Sequence, residues 1–236
     1  MEAGTDSAWL SSKEALAASL RRSFGVSSLG NKRNPLDELV YIVLSTRTPP
    51  ESYQTAYRQL RRAFPLWEHL AEASVQDIAD AITVGGLQAK KARQLRGIAE
   101  ALRDRFGRVS LAPLHQMSDA EAEKVLLELP GVGVKVARCV LMYSLDREVF
   151  PVDRHCLRVV RRLGWVDPSR PLGKKLADEI QEAIPGPVRK QVHVGMILLG
   201  RSICLPSNPS CSYCPILQMC PTGTSRGSAG MPNSPE

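Results

Sequence analysis

Apolar residues recur every three to four positions along most of this 236-residue chain, which is the period of an amphipathic helix. After Pro35, the apolar residues from Leu39 to Leu44 recur on one face of a predicted helix. The same period predicts further helices over Glu51 to Phe64, Val75 to Ile82, Leu87 to Phe106, Asp119 to Leu129, Val134 to Ser144, Arg154 to Leu163, Leu172 to Ile184 and Val188 to Ile203. Runs that alternate apolar and polar residues are almost absent, so the pattern predicts an all-α fold.

Short connectors separate the predicted helices and carry Gly, Pro, Asn or Asp, as at Gly85-Gly86. No fixed-period repeat is visible, which favours a compact bundle over a solenoid. The length fits one large domain or two small lobes. The segment from Thr222 to Glu236 is rich in Ser, Gly and Pro, and we predict that it is a disordered tail.

Basic residues outnumber acidic ones, with 31 Lys and Arg against 24 Asp and Glu. A polyanion is therefore a natural partner, although the net charge of +7 also fits a well-solvated protein without such a ligand. No apolar run approaches the roughly 18 to 20 residues that cross a bilayer, and the first residues do not read as a secretion signal. We expect a soluble, cytoplasmic protein with no membrane partner.

A glycine-rich segment, Leu129-Pro130-Gly131-Val132-Gly133, lies between two predicted helices. Its glycines permit the positive φ angles and close backbone approach of a tight hairpin. The exposed N–H groups that begin the next helix could then hold a DNA phosphate without reading sequence. The alternative is a helix connector with no ligand.

Lys135 stands two residues after this segment, in the first turn of the following helix. The positive end of the helix dipole disfavours a second positive charge, so we expect a lowered pKa. A partly neutral amine is a nucleophile suited to covalent catalysis on an electrophilic carbon. A solvated lysine on a helix surface is the alternative.

Asp153 lies where a loop meets a predicted helix, in Phe150-Pro151-Val152-Asp153-Arg154-His155, and is a natural N-cap. Capping alone explains an aspartate there. The same carboxylate could also stabilise a cationic sugar intermediate in a cleft, and the two roles are compatible.

Four cysteines near the end of the chain have the spacing C-x6-C-x2-C-x5-C: Cys204, Cys211, Cys214 and Cys220. In a reducing compartment such a group indicates a metal centre rather than disulfides. Only one close CxxC pair occurs, which favours an iron–sulfur cluster over structural zinc. Cys139 and Cys156 lie among apolar neighbours and are predicted to be buried.

Three motifs in this order, LPGVGVK, VDRH with its aspartate eighteen positions after the lysine, and the cysteine array, resemble the endonuclease III family of DNA glycosylases. This family belongs to the helix-hairpin-helix, Gly/Pro-Asp superfamily. The resemblance covers about Asn34 to Pro221.

The resemblance implies two helical lobes. Residues 34–147 would form a six-helix barrel that contains the hairpin. Residues 1–33 would form an N-terminal arm and helix that pack with residues 148–221, a helical lobe with a [4Fe-4S] loop held by the four cysteines. Lys135 and Asp153 would face each other in the cleft between the lobes.

The resemblance also implies an activity on double-stranded DNA that contains damaged bases or abasic sites. Lys135 would attack C1′ of an oxidised pyrimidine nucleotide, with Asp153 activating the amine. The resulting Schiff base would break the strand by β-elimination, as in a bifunctional glycosylase and AP lyase. A monomer suffices to enclose one flipped nucleotide.

Further residues are implied to contact DNA. Leu87 matches the family's wedge leucine, with Gln88 beside it, and the alternative for Leu87 is an ordinary core residue. Arg47 stands where the family has the glutamine that fills the space of the flipped base. The other implied DNA contacts are Gly131, Gly133 and His155.

The arginine at position 47 is compatible with other functions. It could contact the orphaned base, or it could obstruct the pocket and leave a DNA-damage binding protein with weak or no glycosylase activity. A related enzyme for a mismatched or alkylated base is a third hypothesis. The basic helix that includes Lys90 and Lys91 either tracks phosphates or is a solvated surface.

Overall fold

The computed structural model describes residues 3–25 and 29–228 of the chain. Within these ranges the regular structure is entirely helical, and the predicted all-α class is confirmed. The helices are α1 (Ala3–Phe24), α2 (Pro35–Ser45), α3 (Pro50–Ala63), α4 (Glu68–Glu72), α5 (Val75–Asp80), α6 (Gln88–Phe106), α7 (Asp119–Leu127), α8 (Val134–Ser144), α9 (Arg154–Arg162), α10 (Lys174–Glu182), α11 (Arg189–Ser202) and α12 (Pro221–Ser228). No helix of these ranges is both long and apolar enough to traverse a bilayer.

The chain divides into two compact units. The middle unit is Gly30–Arg147 and contains α2 to α8. The terminal unit combines Met1–Leu29 with Glu148–Glu236, so it contains α1 together with α9 to α12.

Helix α2 forms the centre of the middle unit and packs against α3, α6 and α8. It begins sharply because the Asn34 side chain accepts hydrogen bonds from the backbone N–H of Leu36 and Asp37 at 2.9 and 3.2 Å, with Pro35 at the first helical position. Nine of its eleven residues are buried, because the consecutive residues 39–44 lie on all sides of the helix and not only on the one face predicted.

Glu38 is the charged exception in this buried helix, with no exposed surface. Its carboxylate accepts hydrogen bonds from the Asn31 Nδ2 atom at 2.5 Å and the Lys32 backbone N–H at 2.6 Å. Burial raises the pKa of Glu38 to about 7, against the opposing influence of these two hydrogen bonds and of the nearby Lys135 and Lys32 charges. The folded protein therefore binds a proton at Glu38 more tightly than the unfolded chain does.

We expect Glu38→Gln to change how stability depends on pH. A raised pKa means that the contribution of Glu38 is fully present below pH 4.5 and is lost as the pH rises to about 7. The unfolding free energy of the wild type should fall relative to the variant by up to about 3 kcal/mol across this window. A hydrogen bond that is lost in the variant changes its unfolding free energy by the same amount at every pH.

Denaturant unfolding at pH 4.5, 6 and 7.5 measures this difference. Glu72→Gln, which removes a carboxylate at an exposed position, is the matched control. If the unfolding free energies of the wild type and Glu38→Gln differed by the same amount at all three pH values, the prediction would be contradicted.

The terminal unit is built on α11, which packs against α1 and α9. Gly195 of α11 lets α1 approach closely, because a Cβ atom there would lie 2.7 Å from Leu20 Cβ. The Gln191 side chain also donates a hydrogen bond to the Ala17 carbonyl at 2.6 Å. Helices α1 and α11 thereby share one core.

Several elements differ from the sequence prediction. The short α4 and the 3-10 turn Ala112–Gln116 were not indicated by apolar periodicity, which needs more than one or two turns to register. The predicted disordered tail is helical in its first part, as α12, because Thr222 Oγ1 donates to the Arg162 carbonyl at 2.9 Å and Gly223 is buried. Residues 229–236 of that tail lie outside the described ranges.

Candidate active site and cysteine loop

The hairpin between α7 and α8, residues 128–133, has a conformation that requires glycine. Gly131 has φ +67°, and a Cβ there would lie 2.7 Å from the Gln94 Nε2 atom. Gln94 donates to the Pro130 carbonyl at 3.2 Å and so ties the hairpin to α6. A buried Arg138 guanidinium also pairs with Glu123 at 2.8 Å, which joins the two helices of the hairpin.

The beginning of α8 is suited to an anion. Gly133 is the N-cap residue, and among the described residues no side chain caps the helix there. Gly131 and Gly133 are both exposed. The first N–H groups of α8 therefore lie at a surface that a phosphate can approach.

Lys135 is the second residue of α8 and is half-buried. It lies near enough to Glu38 of α2 for its charge to favour the ionised carboxylate. Sequence reasoning missed Glu38 as part of this neighbourhood. The sequence gives little signal for it, because Glu38 follows Asp37 in the first turn of α2, where acidic residues are common.

Asp153 belongs to the terminal unit and is the N-cap of α9, so the predicted capping role is confirmed. Its Oδ1 atom accepts hydrogen bonds from the backbone N–H groups of His155 and Cys156, each at 2.8 Å. This capping by Oδ1 fixes the carboxylate at the end of the helix.

His155 is oriented by its neighbours in the terminal unit. Arg158 Nη2 lies 3.1 Å from His155 Nδ1 and donates to the Gly200 carbonyl at 2.7 Å. Burial lowers the pKa of His155, which favours the neutral ring.

Two exposed turns of the middle unit carry the predicted wedge and the arginine. The Leu87 turn, residues 85–87, precedes α6, whose first residue is the exposed Gln88. The Arg47 turn, residues 46–48, follows α2, and Arg47 is exposed. Thr48 Oγ1 donates to the Gly85 carbonyl at 2.6 Å, so the turns are neighbours.

Both residues have a left-handed backbone, with φ of +53° at Leu87 and at Arg47. This conformation costs a residue other than glycine about 1 kcal/mol. The Leu87 side chain is 49% exposed, so its interpretation as an ordinary core leucine is wrong. Such strain at exposed side chains is typical of functional sites.

Lys91 differs from its predicted environment. It is 3% exposed, and its Nζ atom donates to Leu44, Thr48 and Gly85. It is therefore neither a solvated surface residue nor one that tracks phosphates. Its neighbour Lys90 is exposed.

The four C-terminal cysteines lie in the terminal unit and are all partly buried. Arg162 donates from Nη1 to Cys204 Sγ at 3.0 Å, and the Gly223 N–H donates to Cys220 Sγ at 3.3 Å. Burial raises the pKa of the Cys214 thiol, and the charges of the other three cysteines raise it further. Cys139 and Cys156 are buried, as predicted.

The donor set has the chemistry of a thiolate metal centre. The four sulfurs are close enough to interact electrostatically, and N–H donors directed at sulfur stabilise thiolates. In the described part of the chain, however, no three Cys, His, Asp or Glu side chains surround a common point suited to one metal ion.

The comparisons with known proteins agree with one another. Residues 40–186 match the family "HhH-GPD superfamily base excision DNA repair protein". Endonuclease III of Thermotoga maritima is 30% identical over 203 residues, which cover 86% of this chain and 90% of that relative. A candidate DNA glycosylase of Arabidopsis thaliana is 36% identical over 153 residues, which cover 62% of this chain and 52% of that relative.

A solved structure of a non-covalent endonuclease III–DNA complex has the same fold, with a TM-score of 0.78 at 23% identity over 91% of this chain and 96% of that one. The chain therefore belongs to the HhH-GPD superfamily of base excision DNA repair proteins, among its endonuclease III-like DNA glycosylases. It spans about half the length of the Arabidopsis relative.

Proposed function

We propose that this protein is a bifunctional enzyme that removes oxidised pyrimidines from double-stranded DNA and cleaves the resulting abasic site. The observation that carries the proposal is the position of Lys135. This lysine is half-buried in the first turn of α8, immediately after a hairpin with an exposed backbone. The 30% identity to an endonuclease III over most of both chains supports the same reaction class.

In the proposed reaction, the neutral Lys135 amine forms a bond to C1′ while the glycosidic bond breaks. The base departs with that electron pair and takes up a proton. The amine loses a proton to the Asp153 carboxylate, and the sugar ring opens to a Schiff base. Loss of a proton from C2′ then expels the 3′ phosphate by β-elimination.

The proposed interface with DNA uses both backbone and side chains. The N–H groups near Gly131 and Gly133 hold a phosphate, while Leu87 enters the base stack beside the extruded nucleotide. Arg47 contacts the unpaired base opposite, with Gln88 beside the wedge and His155 near the backbone. The exposure and strained backbone of Leu87 and Arg47 support these roles. One protein molecule encloses one nucleotide.

We also propose that Cys204, Cys211, Cys214 and Cys220 hold a [4Fe-4S] cluster, whose bonds would fix the loop between α11 and α12. Their shared loop, partial burial and N–H donors support a thiolate centre. Protein purified without oxygen is expected to be yellow-brown, with about four irons and four sulfides per chain. Colourless protein with stoichiometric zinc would contradict this assignment.

The reaction is tested with duplexes that each carry one lesion: an oxidised pyrimidine, an oxidised purine, a mismatched thymine or an alkylated base. Borohydride reduces a Schiff base to a stable amine, so a covalent protein–DNA adduct identifies the substrate. We expect the strongest adduct with the oxidised pyrimidine. A stronger adduct with another lesion would overturn the assignment of oxidised pyrimidines as the substrate. It would still support the proposed lyase activity.

The alternative is a DNA-damage binding protein with weak or no glycosylase activity. The observation that favours it is the exposed Arg47, which is larger than the glutamine expected there and is charged. Tight binding to lesion duplexes without any trapped adduct, even on an abasic site, would support the binder.

A further inference from the structure

The buried Lys91 has no role in the proposed chemistry, yet its contacts are well defined. Nζ donates hydrogen bonds to the Leu44 carbonyl at 2.7 Å, to Thr48 Oγ1 at 2.6 Å and to the Gly85 carbonyl at 2.9 Å. An ammonium has three N–H donors, so these partners satisfy it completely. All three acceptors are neutral oxygens.

This arrangement is costly for stability alone. Burial without a carboxylate disfavours the charged form and lowers the pKa of Lys91 to about 8. Its hydrogen bonds to neutral oxygens offset the desolvation of the ammonium only in part. The contacts of Lys91 join three points of the chain that an apolar side chain could not hold together by hydrogen bonds.

The three acceptors come from two places in the chain that carry the exposed left-handed residues. Leu44 lies two residues before the Arg47 turn, Thr48 is the last residue of that turn, and Gly85 is the first residue of the Leu87 turn. Thr48 also donates to Gly85, so the ammonium and this hydroxyl form one network between the turns. All of these residues belong to the middle unit.

We propose that Lys91 is a positioning residue that holds the Arg47 turn and the Leu87 turn in a fixed relation, so that both side chains enter a damaged duplex together. This inference rests on the proposed function. Lys91 acts through the two turns and does not touch the reacting atoms. Its loss impairs extrusion of the nucleotide and leaves the Lys135 chemistry intact.

The test compares Lys91→Met with the wild type on two substrates. Excision from a lesion duplex requires both turns and is expected to slow about 10- to 100-fold in single-turnover assays. Cleavage of an abasic site in single-stranded DNA needs no extrusion and is expected to change less than about threefold. Lys175→Met, an exposed residue of the terminal unit, removes the same charge and should leave both rates unchanged.

Extrusion itself is followed with 2-aminopurine placed beside the lesion, whose fluorescence rises when it unstacks. Lys91→Met should lower this signal, and Lys91→Gln, which keeps two N–H donors, should restore part of it. In a Leu87→Ala background, Lys91→Met should cause little further loss, because both changes act on one step. Thermal unfolding shows whether Lys91→Met folds. If it does not fold, the comparison of Lys91→Gln with the wild type tests the positioning role.

Equal losses on the duplex and on single-stranded DNA would overturn the positioning role, as would wild-type fluorescence in the folded variants. Failure of the proposed function is a separate result, since the wild type itself would then cleave neither substrate. The fluorescence measurement needs no catalysis and tests Lys91 in that case too.

Discussion

Lys135→Gln is expected to lower cleavage of an abasic-site duplex by at least about 10³-fold, which corresponds to about 4 kcal/mol of transition-state stabilisation. Glutamine nearly keeps the length of the side chain and has no amine that can form a Schiff base. Borohydride should therefore trap no adduct. Single-turnover strand cleavage and trapping on the same duplex measure both effects.

In this structure, Lys135→Gln separates the loss of the nucleophile from the loss of DNA binding. Lys135 lies after the hairpin and on a half-buried position, so the phosphate-binding backbone of Gly131 and Gly133 remains in place. Affinity for the abasic duplex should therefore change by less than about tenfold. Lys124→Gln, at an exposed position on α7, is the control for loss of one positive charge. Equal strand cleavage by wild type and Lys135→Gln would show that another nucleophile acts.

Asp153→Asn is expected to lower kcat by about 10²- to 10³-fold while folding is retained. Asparagine caps helices as well as aspartate does, and its Oδ1 can accept the same bonds from His155 and Cys156. The substitution therefore removes the negative charge and keeps the cap. Lesion excision, DNA affinity and thermal unfolding are measured on the same preparations.

Asp153→Ala provides the opposite case. It removes both the cap and the charge, so we expect a loss of about 1 kcal/mol of stability that the asparagine variant does not show. A purely structural Asp153 would give near-normal activity in Asp153→Asn and lost stability in Asp153→Ala. That result would remove Asp153 from the proposed mechanism.

Local sequence rules predicted the elements that carry the candidate site. The helix near Pro35, the hairpin before Lys135 and the cap at Asp153 each depend on residues that are adjacent in sequence. Proline at the first helical position, glycine in the turn and aspartate at the N-cap act within one helical turn. Their effects are therefore readable without knowledge of the fold.

Features that depend on contacts distant in sequence were not predictable. Lys91 lies in a basic helix and reads as a surface residue, and its enclosure depends on Leu44 and Thr48, 47 and 43 positions earlier. The composition of α12 indicates coil, and its contact with Arg162 lies 60 positions away. The left-handed backbone of Arg47 and Leu87 has no signal in their residue types, since such side chains disfavour it.

The terminal unit combines α1 with helices that follow the middle unit in sequence, so it can complete its fold only late in synthesis. Helix α1 leaves the ribosome early, but α11, against which it packs, follows only after the whole middle unit has been made. At the usual rate of translation this delay is roughly 10–30 s. The apolar side of α1, including Leu16 and Leu20, therefore lacks α11 during that interval. The nascent chain must keep this surface from aggregating, and a chaperone that binds amphipathic helices could do so.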